Sequence, residues 1–248
     1  MESYVLGPVF SQYFGQSLVI YLVPFKTCTY NCIYCKLGET TNKTIERREW
    51  IPLNDISKQF KNKLSINPDY IILSGLGEPT LFSRIGELIS IIKNLTDIPI
   101  VILTNGSLLW IPEVQDNLMK ADIVIPSLDV GDKDLFHYVN RSHVDITFDK
   151  IVDGLITFKR KYSGQYWLEI FLLGGVTSII SEVNKIVKIT NHIRPDRIHI
   201  NTVTEPPAKD FVDPVPKEQM ERFRKVFGKK CEVINGYYSI RHQIECII

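Results

Sequence analysis

The strongest constraint on the fold is an alternation repeated along the chain. Short apolar, β-branched runs at 18–23, 70–73, 98–103, 123–127, 167–173, 197–201 and 231–234 are separated by stretches of helical periodicity at 54–64, 81–94, 112–119, 149–162, 181–193 and 217–227. Most of the runs are apolar on both faces, the pattern of parallel strands covered by helices rather than of a sheet with one wet face. Within 81–94, Ile85, Leu88, Ile89 and Ile92 fall on one stripe, as a helix packed on such a sheet requires. Pro112 opens its segment at a helical position that tolerates proline, and Ser181 is expected to cap the helix after it. Strand and helix alternating over about six units specify an α/β fold, a parallel sheet partly or fully closed into a TIM-like (β/α) barrel. The chain 1–248 is expected to form a single domain, with a core over 6–207 and a helix and strand tail at 208–248. Functional residues in such folds sit in the loops after the C-terminal strand ends, so the motifs of this chain should follow its strands.

Charge and length exclude several functions. Lys and Arg number 29 against 28 Asp and Glu, a net of +1, so there is no basic excess to hold a long nucleic-acid backbone by charge. No apolar run approaches the roughly 20 residues that span a bilayer, and the opening Met-Glu-Ser-Tyr-Val-Leu-Gly-Pro lacks the basic region of a signal peptide. The expected location is the cytoplasm. In that reducing compartment, five cysteines with three inside eight residues point to metal or catalytic chemistry rather than disulfides. The five histidines are scattered, with no H-E-x-x-H pair for zinc hydrolysis, and no G-x-x-x-x-G-K-[ST] loop indicates nucleotide triphosphate chemistry.

Cys28, Cys32 and Cys35 follow the first of these strands with C-x3-C-x2-C spacing. Thiolates on one tightly turned loop can reach three corners of a cubane cluster and leave the fourth iron open. A closed structural zinc site needs four ligands, and here the next candidate is the distant His137. Zinc with a remote ligand and three ordinary buried thiols are the competing readings of the same residues. After the next strand comes Ser74-Gly75-Leu76-Gly77-Glu78-Pro79-Thr80, where two glycines permit close backbone approach and Glu78 places a carboxylate at the strand mouth. Later strands end in Thr104-Asn105-Gly106-Ser107, in Ser127-Leu128-Asp129 and in Asn201-Thr202, and Glu169 lies within the strand at 167–173.

The cysteine triple, with the aromatic Tyr34 before its last member, resembles the signature of the radical S-adenosylmethionine superfamily. The resemblance implies that Cys28, Cys32 and Cys35 hold a [4Fe–4S] cluster whose open iron is chelated by S-adenosylmethionine. One electron then cleaves the sulfonium, and the resulting 5′-deoxyadenosyl radical abstracts hydrogen from a substrate. It further implies that Gly75, Leu76, Gly77, Glu78 and Pro79 take the methionine end, although the family's Gly-Gly-Glu is Leu-Gly-Glu here. Tyr34, Asn105, Ser127, Asp129, Asn201 and Thr202 would surround adenosine. The runs 24–28, 37–44, 74–81, 103–108 and 195–197 are similar to a subgroup of compact iron–sulfur oxidoreductases grouped with the wyosine-synthesis enzyme of tRNA, the likeness covering about 6–207. A low-potential ferredoxin or flavodoxin is the implied electron donor. Modification of a tRNA base, modification or activation of a protein or peptide, and a metal-binding module without turnover are the alternative functions.

Other features carry plainer expectations. Lys36, Lys43, Arg47 and Arg48 beside Trp50 are expected to form a solvated loop partnered by Glu46 and Glu49, with contact to substrate phosphate or RNA as the sharper alternative. The segment 204–216, with Pro206, Pro207, Pro214 and Pro216, is expected to be a semi-rigid, non-helical connection. Cys231 and Cys246 are expected to be ordinary thiols.

Overall fold

The computed structural model describes residues 3–11, 13–204 and 209–234. Strand β1 (Val5–Ser11) turns back antiparallel onto β2 (Gly15–Tyr21). In the long loop that follows, β3 (Thr27–Cys28) pairs with β4 (Asn42–Lys43). The chain continues through α1 (Leu53–Lys63), β5 (Tyr70–Ser74), α2 (Ile85–Lys93), β6 (Ile100–Thr104), α3 (Pro112–Leu118) and β7 (Ile123–Pro126). A short α4 (Lys133–Leu135) runs into a π-helical turn, Phe136–Asn140, before α5 (Phe148–Lys161), β8 (Gln165–Leu172), α6 (Ile180–Ile193), β9 (Arg197–Thr202), α7 (Lys217–Phe227) and β10 (Cys231–Val233). Eight strands form one sheet in the order β1-β2-β5-β6-β7-β8-β9-β10, parallel at every pairing beyond the first. Each of β2, β5, β6, β7, β8 and β9 is followed by a helix, which gives the six units expected from the pattern.

Period-two alternation along the strands sorts their side chains into two cores. Leu18, Ile20, Ile71, Leu73, Ile100, Ile102, Val124, Leu168, Ile170, Ile198 and Ile200 pack with helix residues such as Ile56, Phe60, Leu88, Leu155 and Ile186. Their neighbours Val19, Tyr21, Ile72, Val101, Ile123, Ile125 and Trp167 form the other core, which among the described residues contains no helix residue. A sheet face buried without helices must be buried against itself. The turn between β1 and β2 shows how: Tyr13 meets Trp167 of β8 edge-on at 5.6 Å and its hydroxyl lies 2.6 Å from Nε2 of His199 in β9. Phe14 stacks parallel to Trp167 at 6.1 Å. Those partners lie four to six strands away in the sheet order, so the sheet is curled into a partial barrel with these aromatics inside.

Several boundaries differ from the expected ones. β1 is a strand beyond the expected ones; its ladder shifts register between Leu6 and Val9, where Pro8 has no N–H to give. The helix expected from residue 81 begins at Ile85, because Arg48 pairs with the backbone on both sides of Phe82 (its N–H to the Leu81 carbonyl, its carbonyl to the Ser83 N–H) and holds that stretch extended. Ser181 is not the N-cap of α6. The helix starts one residue earlier, Ile179 occupies the cap without a side-chain bond, and the Ser181 hydroxyl turns to Glu182. Pro206, Pro207, His242 and Cys246 lie outside the described residues. No helix among the described residues is long and apolar enough to cross a membrane.

Candidate cofactor site

The cysteine loop leaves the end of β2 and is held from three directions. The Lys26 N–H donates to the Leu76 carbonyl at 2.6 Å and the Glu78 N–H to the Thr27 carbonyl at 3.1 Å, which tie it to the loop after β5. Asn42 and Thr44 N–H groups bond the Lys26 and Cys28 carbonyls from the β4 side. The Asn31 and Ile33 N–H groups donate to carbonyls of Asn140 and Val139 in the π-helical turn. Gly77 is required for the first of these contacts, since a Cβ on it would overlap the backbone of Thr27. The glycine expected to let a ligand approach therefore first lets one loop approach the other. Gly106 has φ +74°, which the turn after β6 needs and a side chain would strain.

Cys28, Cys32 and Cys35 are half-buried and line one cavity at the C-terminal strand ends. Tyr34, Gly75, Leu76, Gly77, Glu78, Asn105 and Ser127 line it too, as do Lys26, Lys36 and Glu169. Pro79, Asp129, Asn201 and Thr202, the other residues expected around the cofactor, are not among its lining. Pro79 and Asp129 are buried behind it. Thr202 accepts a bond from the Val215 N–H, and buried Asn201 bonds the Thr202 N–H while its Nδ2 has no hydrogen-bond partner.

Two buried carboxylates organise the strand ends. Oε1 of Glu78 accepts the Thr80 N–H (3.0 Å), the Thr80 hydroxyl (2.6 Å) and the Thr104 hydroxyl (2.6 Å), and Oε2 accepts the Asn105 N–H (2.7 Å). Asp129 accepts the Tyr34 hydroxyl, Nδ2 of Asn140 (3.0 Å) and the Phe171 N–H (3.1 Å). Burial raises the pKa of both carboxyls despite these donors. Asp129 thereby holds the Tyr34 ring, which stacks on Phe171 at 4.5 Å. Burial, with Glu78 nearby, pushes the Cys28 thiol up to about 12, and burial, with Asp129 nearby, pushes Cys32 well up. Such sulfurs are poor free nucleophiles; a metal cation is what converts them to thiolates.

Among the described residues, no three His, Cys, Asp or Glu side chains stand close enough to hold one metal ion. Three cysteines spaced around a shared cavity suit a cubane, which takes each thiolate on a different iron, better than zinc, which gathers its ligands at about 2.3 Å from one ion. The donor set and cavity thus fit a three-thiolate cluster. The basic loop does not form one patch. The Arg47 side chain is only 9% exposed, with Nε donating to the Thr80 carbonyl (3.0 Å) and Nη1 paired with Glu113 (2.7 Å). Arg48 lies over Trp50 at 3.8 Å. Lys43 bonds the Arg141 and Ser142 carbonyls. Glu49 pairs with Arg84 and bonds the Leu53 N–H instead of serving the loop. Sequence reasoning missed Lys26, Arg47 and Asn140 as site-building residues. Lys26 carried a signal, being two residues before the first cysteine; Asn140 carried none, since the π-helical turn has no recognisable period.

A family model described as the radical SAM superfamily matches residues 22–188. The chain is 42% identical over 231 residues to a protein of Brachyspira hyodysenteriae called GTPase Obg, covering 92% of this chain and 34% of that one. The chain therefore spans about a third of that relative's length. It is 33% identical over 227 residues to a UPF0026 protein of Methanocaldococcus jannaschii, covering 90% and 70% of the two chains. Among solved structures, TYW1 with a lysine-pyruvate adduct bound superposes with a TM-score of 0.63 at 17% identity, covering 85% of this chain and 72% of that one. SuiB of Streptococcus suis bound to S-adenosylmethionine gives 0.67 at 16%, covering 88% and 50%. These two likenesses speak to the fold.

Proposed function

Because the chain belongs to the radical SAM superfamily, we propose that Cys28, Cys32 and Cys35 are the ligands of its [4Fe–4S] cluster and that the surrounding loops take S-adenosylmethionine. The chain is a radical SAM enzyme; enzymes of this kind use both groups and need a reductant. Reductive cleavage of S-adenosylmethionine supplies methionine and a 5′-deoxyadenosyl radical that removes a hydrogen atom from a substrate. The GTPase in one relative's name is not carried over, since this chain has no phosphate-binding G-x-x-x-x-G-K-[ST] loop.

The protein's own part is to position and to shield. The 75–78 loop, locked onto the cysteine loop through Gly77, receives the methionine end, and Oε2 of Glu78 keeps acceptor capacity for its cationic amine. Tyr34, Asn105 and Ser127 meet adenosine. Pro79, Asp129, Asn201 and Thr202 act from behind, Asp129 by fixing Tyr34 and Thr202 by anchoring the 213–215 strap. We read 1–248 as one catalytic unit, working in the cytoplasm and reduced by a ferredoxin or flavodoxin. What carries the reading is that three cysteines, the Gly75–Glu78 loop, Asn105 and Ser127 surround one cavity.

Anaerobic reconstitution followed by dithionite and S-adenosylmethionine tests it. The expected result is a cluster-loaded chain that releases 5′-deoxyadenosine, with loading lost in Cys28→Ala, Cys32→Ala or Cys35→Ala. A fully loaded chain that releases none overturns the proposal.

A further inference from the structure

Each cysteine sulfur is met by one side-chain nitrogen. Nδ2 of Asn105 points to Sγ of Cys28 at 3.7 Å, Nδ2 of Asn140 to Sγ of Cys32 at 3.7 Å, and Nζ of Lys26 to Sγ of Cys35 at 3.2 Å. The orientation of both amides is fixed by their other bonds. Oδ1 of Asn105 accepts the Ser107 N–H, so its amino side must face Thr29 and Cys28. Asn140 sits between Cys32 and the Asp129 carboxylate, which only accepts, so its amino side must face both. Lys26 is only 3% exposed and sits at φ +57°, pinned by the Leu76 carbonyl and the Asn42 N–H. A lysine buried at a left-handed backbone position, with its ammonium on a sulfur, is costly to keep for packing alone.

Two of the three contacts share a construction. Glu78 bonds the backbone N–H of Asn105, whose side chain meets Cys28; Asp129 bonds the side chain of Asn140, which meets Cys32. We propose that Lys26, Asn105 and Asn140 set the reduction potential of the cluster, one N–H···S contact to each ligand sulfur, with Glu78 and Asp129 holding the two amides in place. The inference rests on the ligand assignment above. Adding an electron increases the negative charge on the sulfurs, so donors and a cation beside them favour the reduced form and raise the potential. Lys26 contributes a full charge and the amides contribute dipoles, so the lysine should have the largest effect.

The test is a redox titration of the reconstituted chain without S-adenosylmethionine, following the paramagnetic reduced cluster. Lys26→Met should move the midpoint to more negative values, Asn140→Leu and Asn105→Leu should move it less in the same direction, and Lys26→Arg should restore most of the lysine shift. Should a variant fail to load, the wild-type reduced cluster supplies the answer: protein labelled with nitrogen-15 lysine or asparagine should show nitrogen-15 hyperfine coupling. Loaded variants with unshifted midpoints, or a wild-type cluster without that coupling, overturn the inference while leaving the ligand assignment intact. A wild-type chain that takes up no iron removes the assignment itself, and the inference with it.

Discussion

A single glycine shows how closely the site is assembled. Gly77 has room for hydrogen only, because the Thr27 backbone occupies the place of its Cβ. Gly77→Ala is expected to push the 74–80 and cysteine loops apart, cost about 1–3 kcal/mol in urea unfolding, and lower the iron bound per chain. Unchanged iron and stability would show that the loops can separate freely. Asp129 illustrates the opposite economy, a buried charge tolerated because three donors reach it. Tyr34→Phe removes one donor and should destabilise the fold by about 1–3 kcal/mol through an under-satisfied carboxylate, whereas Asp129→Asn should cost more, because its amide NH2 must face a group that donates to the carboxylate. Equal losses in the two variants would count against that account.

Among elements, strands and helices were legible because they are long enough to show a period. The seven parallel strands and six helices fall within a few residues of their expected positions, and the cysteine, Gly75–Glu78 and Asn105 stations all follow strand ends. What stayed hidden depends on tertiary pairing. Gly7-Pro8 disguised β1, Phe82 is held extended by Arg48, and the turn Phe136–Asn140 supports the cysteine loop without any sequence signature of its own. Arg47 belongs with these. It braces the turn Pro79–Leu81, on which the Glu78 network depends, from the loop after β4. Its partner Glu113 is largely solvent-exposed, so removing the arginine strands no buried charge. Arg47→Met is therefore expected to cost about 1–3 kcal/mol through the lost bond to Thr80, and to weaken S-adenosylmethionine binding in calorimetry while iron content stays at the wild-type level. Arg48→Met, which removes a stack on Trp50 and an exposed pair with Glu46 at 3.7 Å, should leave binding unchanged.

At the scale of the whole molecule, the curl of the sheet depends on an aromatic group inside it. His199 there is buried beside Arg197 and its pKa is lowered to about 3, burial being the larger cause. As pH falls below the ordinary histidine value near 6.5, the unfolded chain takes up a proton that the folded chain refuses. Stability must then decline with acidification, by up to about 1.4 kcal/mol per pH unit, and the decline continues until the folded pKa is reached. Urea midpoints between about pH 7 and about pH 5 should fall for the wild type and fall less for His199→Gln; matching slopes would remove His199 as the cause. The same closure also has a temporal side. Tyr13 and His199 are 186 residues apart in sequence, whereas most neighbouring strands of the sheet are separated by a single helix. During synthesis β2, β5, β6, β7 and β8 can pair one after another as they emerge. The turn carrying Tyr13 and Phe14 must wait, its aromatic face uncovered, until β8 and β9 leave the ribosome. Some of the late-forming contacts of this fold therefore involve one of its earliest-made segments.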